Sequence, residues 1–195
     1  MSIRLFGTLL ILLLIPVSLA CSIFTSTPVP SQADIEKEEQ AVYVVFVGES
    51  KSPALILQDT STGLLEEDPQ QLIDNLKGGL TGISNSTIDS YVERNAQPSQ
   101  LAPDMQLGEE HILLGSEELA KITRQPNWHE ILKEKYPSSH GYFIFSRVGF
   151  NQSLDQAVIY VGQVAGPLMG AGYYYLLEKQ AGTWTIKEQI MVWIS

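Results

Sequence analysis

The stretch Gln156–Lys179, QAVIYVGQVAGPLMGAGYYYLLEK, holds no charged residue between Asp155 and Glu178. The whole chain has a net charge of −10, so this stretch calls for a reason. It admits three readings. Gly162, Gly166 and Gly170 have the GxxxG spacing of a membrane helix that packs closely on a neighbour. The same glycines could form an anion-binding loop, or the stretch could be two neighbouring strands joined by a tight connection. A span is opposed by Pro167 at its centre, which removes a helical hydrogen bond, and by Gln163 at membrane depth. An anion loop would open a helix, whereas YYYLLEK after Gly172 is strand sequence and no GKS or GKT is present. The reading adopted is two inner strands connected through Ala165 to Gly172, because a strand covered on both faces need not alternate.

The C-terminal part reads as a four-stranded antiparallel meander. YFIFSRVGF, AVIYVGQV, GYYYLLEK and TWTIKEQIMVWIS are rich in aromatic and β-branched residues and are separated by turn-forming NQSLDQ and Gln180-Ala181-Gly182. Trp184, Ile186, Ile190, Val192 and Ile194 repeat with period two, which predicts one apolar face interrupted only by Glu188. Upstream, helical signals dominate. A helix is predicted from Asp34, as N-cap, into VYVVFV. A short strand follows at Ala54–Gln58, then a helix opened by Asp68-Pro69 and closed by Gly78-Gly79. Further expectations are a helix from Asn85 or Ser86 to Ala96, a strand at HILLG, a helical turn at Ser116–Leu119, and a helix from Pro126 to Tyr136. The fold class is therefore α+β, with N-terminal helices packing one face of the antiparallel sheet, which could curve into a cone.

The N-terminus reads as a targeting signal. Met1–Arg4 is a basic start, Leu5–Leu19 an apolar run too short to span a bilayer comfortably, and Ser18-Leu19-Ala20 a small-residue cleavage site. Cys21, the only cysteine, follows at once, so no intramolecular disulfide can form. The arrangement resembles the bacterial lipoprotein signal, in which that cysteine carries a diacylglycerol thioether and acyl chains such as palmitate. Ser18 stands where that pattern usually has Leu, so ordinary cleavage with secretion and a free thiol is the alternative. The domain organisation is a signal peptide over 1–20, an attachment cysteine and Ser/Thr/Pro-rich tether over 21–33, and one α+β domain over 34–195. Removing 1–20 takes away Arg4 and no acid, leaving −11. Such a domain is repelled by nucleic-acid phosphates and anionic lipid headgroups, so the expected partners are the membrane, through the anchor alone, and a protein or small-molecule ligand.

SRVGFN, QAVIYVG, the pattern G-x-L-x-G-x-GYYYLLEK, GTW and the terminal WIS together resemble a family of uncharacterised bacterial secreted or lipid-anchored proteins. Cysteines in that family flank the Pro-Leu step. Ala165 and Met169 stand there in this chain, so a redox role implied by the resemblance is unavailable. A weaker similarity, to NTF2-like folds, rests on an aromatic-x-LxK-x-x-G-x-W-x-I pattern and implies a curved sheet around a cavity.

Few residues announce chemistry. Arg147, inside strand sequence, reads either as an anion clamp in a pocket or as an internal ion pair with Glu178 or Glu188. Tyr173 and Tyr175 could line that pocket, with Tyr174 on the opposite face. His111, His129 and His140 have no metal-ligand spacing, and WHEIL lacks the second histidine of a zinc-protease motif, with Lys133 in its place. Ser138-Ser139-His140 lacks a nucleophile elbow. No metal or cofactor is therefore expected. The function expected is an anchored extracytoplasmic binding or accessory structural module. The alternative is a small hydrolase or isomerase with an NTF2-like pocket, for which an acid–base constellation is missing.

Overall fold

A computed structural model describes residues 29–48, 53–63, 68–107 and 111–195. The segment 1–20 expected to be a signal peptide, and Cys21, lie outside the described residues. Among those described, no helix is long and apolar enough to cross a membrane. The elements in chain order are α1 (Gln32–Val47), β1 (Ala54–Leu57), α2 (Pro69–Gly79), α3 (Asn85–Arg94), β2 (His111–Leu114), α4 (Ser116–Thr123), α5 (Trp128–Lys135), β3 (Tyr142–Phe145), β4 (Gly149–Phe150), β5 (Gln156–Gly166), β6 (Met169–Gln180) and β7 (Thr183–Ile194).

The uncharged stretch is strands β5 and β6, antiparallel and in register from Gln156↔Glu178 to Gly162↔Gly172. The chain reverses through Pro167-Leu168 alone, so the glycines lie within strands and not in a long connection. Gly170 and Gly172 receive an aromatic ring. A Cβ on Gly172 would stand 2.0 Å from Trp193 Nε1, and one on Gly170 would meet the same indole at 3.0 Å. The indole lies over both glycines and donates to the Tyr160 hydroxyl at 2.7 Å.

The lack of alternation in β5 follows from helices on both faces of the sheet. Ala157, Ile159 and Val161 join Val42, Tyr43 and Val47 of α1 in one core. Val158 and Tyr160 point the other way, into a second core with Leu72 and Leu76 of α2 and Ile88 and Tyr91 of α3. On that same face, α4 and α5 cover Leu55, Leu114 and Tyr142. The molecule is α+β as expected, but helices sandwich the sheet and do not line one face.

The sheet also exceeds a four-stranded meander. It has seven strands in the order β2-β1-β3-β5-β6-β7, with β4 pairing β5 beside the end of β3. β1 pairs parallel with both β2 and β3, which is open to it because helices supply the long crossovers that parallel pairing requires. The sheet does not close, so no cone forms around a central cavity; β2 and β7 remain as edges. The expected single strand YFIFSRVGF is split by a gap at Ser146–Val148 between β3 and β4. The single apolar face expected of β7 is split as well. Register shifts against β6, between Leu176 and Leu177 and between Gly172 and Tyr173, reverse which face each residue takes. Trp184 therefore packs in the α1 core, while Ile190 and Val192 pack against α2 and α3.

Helix boundaries follow local chemistry. Asp68 accepts from Gln71 N at 3.0 Å and Pro69 opens α2, as the sequence indicates. At α1 the cap is Ser31 and not Asp34. Asp34 sits three residues on and bonds back to Ser31 N at 3.1 Å, forming a reciprocal capping box.

Candidate functional site

Arg147 lies in the gap between β3 and β4, and its partner is neither Glu178 nor Glu188. It is Glu39 of α1, 2 % exposed. Arg147 donates from Nε to Glu39 Oε1 at 2.8 Å and from Nη2 to Oε2 at 2.7 Å, a bidentate pair. Val148 N donates to the same carboxylate at 2.9 Å. Arg94, at the C-terminal end of α3, brings Nη2 to 2.8 Å from Glu39 Oε1, off the line of a hydrogen bond, and so contributes charge. The gap makes this meeting possible. Where the sheet is interrupted, side chains from α1 and α3, on opposite faces, reach one another. Asn95 secures the gap by donating to Arg147 O at 3.0 Å and accepting from Arg147 N at 2.8 Å. Tyr43 donates to Ser146 O at 3.1 Å.

Burial pushes the Glu39 carboxyl up, but the Arg147 hydrogen bonds and the charges of Arg94 and Arg147 prevail and hold it below the ordinary value. Glu39 in turn raises Arg147. A cleft of about 330 Å³ opens over Arg147 and Glu39, bounded by Glu36, Lys37 and Asp104. Both oxygens of Glu39 are occupied by donors, so the carboxylate beside Arg147 is not placed to give or take a proton. Glu178 instead pairs with Lys187 at 2.6 Å, and Glu188 accepts from Thr81 N. On these distances the strand-to-strand ion pair expected for Arg147 is replaced by a helix-to-loop pair, because the sheet gap turns its side chain toward α1.

Tyr173 and Tyr175 share the α1 face of β6, with ring centroids 5.7 Å apart, and Tyr175 packs edge-on against Phe46 at 4.9 Å. They contribute no lining to the Arg147 cleft. Tyr174 takes the opposite face, as alternation predicts, and is fully buried. Among the described residues, no group of three His, Cys, Asp or Glu could hold a metal ion.

A second cleft, of about 590 Å³, runs between α2 and the β6–β7 edge of the sheet. Asp68, Gln71, Asp74 and Asn75 of α2 form one wall. Ile190 and Val192 of β7 form the other, with Tyr174 between them on β6. Its volume is typical of a small-molecule site, as is its combination of an apolar floor and a few polar groups. The Tyr174 hydroxyl does not open into this cleft: it is fully buried beside the Tyr91 hydroxyl at Gly63, where a Cβ would stand 2.9 Å from the one and 2.1 Å from the other, and the two rings cross edge-on with centroids 5.7 Å apart. Burial pushes both phenols far up, so both stay protonated. A larger groove, of about 700 Å³, runs along α1 and Trp184.

The sequence reading missed the α2 wall. Asp68 is recognisable as a cap, but a polar helix side looks the same in sequence whether it faces bulk solvent or a cleft. The available signal was Tyr174, set on the other face from its neighbours. No family model, no curated protein and no solved structure matches this chain.

Proposed function

We propose that this chain is an extracytoplasmic lipoprotein, held at the cell envelope through Cys21, whose domain is a binding module working through the cleft between α2 and β7. The observation that carries the binding reading is the cleft itself, in which the polar side of α2 faces an apolar wall of Ile190 and Val192. The anchoring reading rests on the basic start, apolar run and small-residue site before Cys21. The α1 cap Ser31 comes ten residues after Cys21, a separation that an extended chain bridges over at most about 35 Å. The domain would then work close to the membrane surface. Binding is favoured over a small enzyme because the acid beside Arg147 is committed to two arginines and a backbone N–H.

Cys21→Ala tests the anchor. The exported domain should move from the membrane to the soluble fraction, and the mature wild-type N-terminus should carry the mass of a diacylglyceryl and acyl modification. Retention of Cys21→Ala in the membrane would contradict lipid anchoring.

A further inference from the structure

We propose that two copies of this chain join edge to edge through β7, antiparallel, about a two-fold axis that passes between Lys187 and Glu188. β7 is the long edge of the sheet, twelve residues paired on one side to β6 and on the other to no described strand. Such an edge is a template for a further strand, and it exposes apolar side chains, Ile186 at 45 % and Met191 at 55 %. The register of β7 decides what can pair there. Lys187 has no partner in β6, because the pairing steps from Leu177↔Ile186 to Leu176↔Glu188. Its ammonium reaches Glu178 on the α2 face of the sheet, and Glu188 lies opposite Leu176 on that same face. Two successive residues therefore share a face. Outward from them, Ile186 and Gln189 take the α1 face, Thr185 and Ile190 the α2 face, and Trp184 and Met191 the α1 face. From Trp184 to Met191 the order of faces reads the same in both directions.

That symmetry selects the partner and the register. Directly opposed residues of paired strands project to the same face. A strand that alternates without interruption pairs with its own copy only about a single residue, which here would set Lys187 or Glu188 against its own like charge. The bulge moves the centre to the midpoint of the two, so Lys187 of each copy meets Glu188 of the other. Among the described residues Glu188 is in no ion pair. The same register lays Met191 opposite Trp184 and diagonal to Ile186, which covers both exposed apolar side chains. Charge, face and apolar contact agree on one arrangement, and its two-fold closes the β7 edge.

Sedimentation equilibrium of the full chain in density-matched nonionic detergent, up to about 100 μM, reads the assembly state. The wild type should form a dimer. Lys187→Glu and Glu188→Lys each set like charges across the axis and should weaken that dimer about tenfold. An equimolar mixture of the two variants restores opposite charges at both contacts and should recover the wild-type affinity, an outcome that damage to either fold would not produce. Register is read separately in a Cys21→Ala background. There the Ile186→Cys, Gln189→Cys double variant should cross-link into a dimer on oxidation, while either single cysteine should not. A monomer throughout the range, a dimer that neither charge variant weakens, no recovery on mixing, or no cross-link in the double variant would each overturn the proposal. So would assemblies that grow beyond a dimer, as pairing of β7 with the β2 edge would give.

Discussion

Glu39 ties α1 to the gap between β3 and β4 through Arg147 and Val148 N. It lies in the acidic run IEKEEQ, where nothing in the sequence separates it from Glu36 or Glu38. Its partner Arg147 lies more than a hundred residues away, which is why a neighbouring strand seemed the natural source of the acid. Replacing Glu39 by Gln leaves two guanidiniums facing a neutral amide, and removing one member of a buried pair costs about 3–5 kcal/mol. Urea unfolding should register a loss of that size. Because the folded carboxyl titrates below its ordinary value, its contribution is complete above the unfolded pKa of about 4.3 and is lost as pH falls through the folded value. Glu39→Gln should accordingly flatten the acid limb of stability against pH and lower the neutral-to-alkaline plateau without changing its slope; an unaltered acid limb would show that other carboxylates govern it. Ala181 offers the converse case. It sits at φ 49 beside Gly182 at φ 86, in the two-residue β6–β7 turn. An L-residue in that region is strained, and such turns prefer Asn-Gly. Ala181→Asn should raise stability by about 0.5–1 kcal/mol, readable as a higher thermal midpoint.

At the scale of elements, the β5–β6 hairpin was legible because its signals are local. A proline at its centre, absent charge and strand-forming residues on either side distinguish it from a span or an anion loop. The purpose of its glycines was not legible, since it depends on Trp193, brought over Gly170 and Gly172 by the pairing of β6 with β7. Gly172→Ala puts a methyl into that indole and should cost about 1–3 kcal/mol. It should also break the Trp193–Tyr160 hydrogen bond, visible as a change in tryptophan fluorescence; a silent substitution would mean that the indole shifts freely. The halves of β7 turned to opposite faces for a similar reason. A bulge is a property of two strands in register, and a period-two count along one strand cannot detect it.

For the whole molecule, the sequence indicated helices and an antiparallel sheet but not how the layers stack. β1 and β2 are four residues each, and their parallel pairing joins segments more than fifty residues apart, a choice made by crossover geometry. Seven strands with α1 on one face and four helices on the other leave the interior filled. The open space is therefore peripheral, where α2 stands off the β7 edge, and the function proposed lives in that space. Native mass spectrometry of the full chain, purified without denaturation, tests this claim most directly. A ligand held in the cleft predicts a noncovalent adduct of small mass on the wild type that is absent from Asn75→Trp; an adduct retained by Asn75→Trp, or none on the wild type, would contradict it.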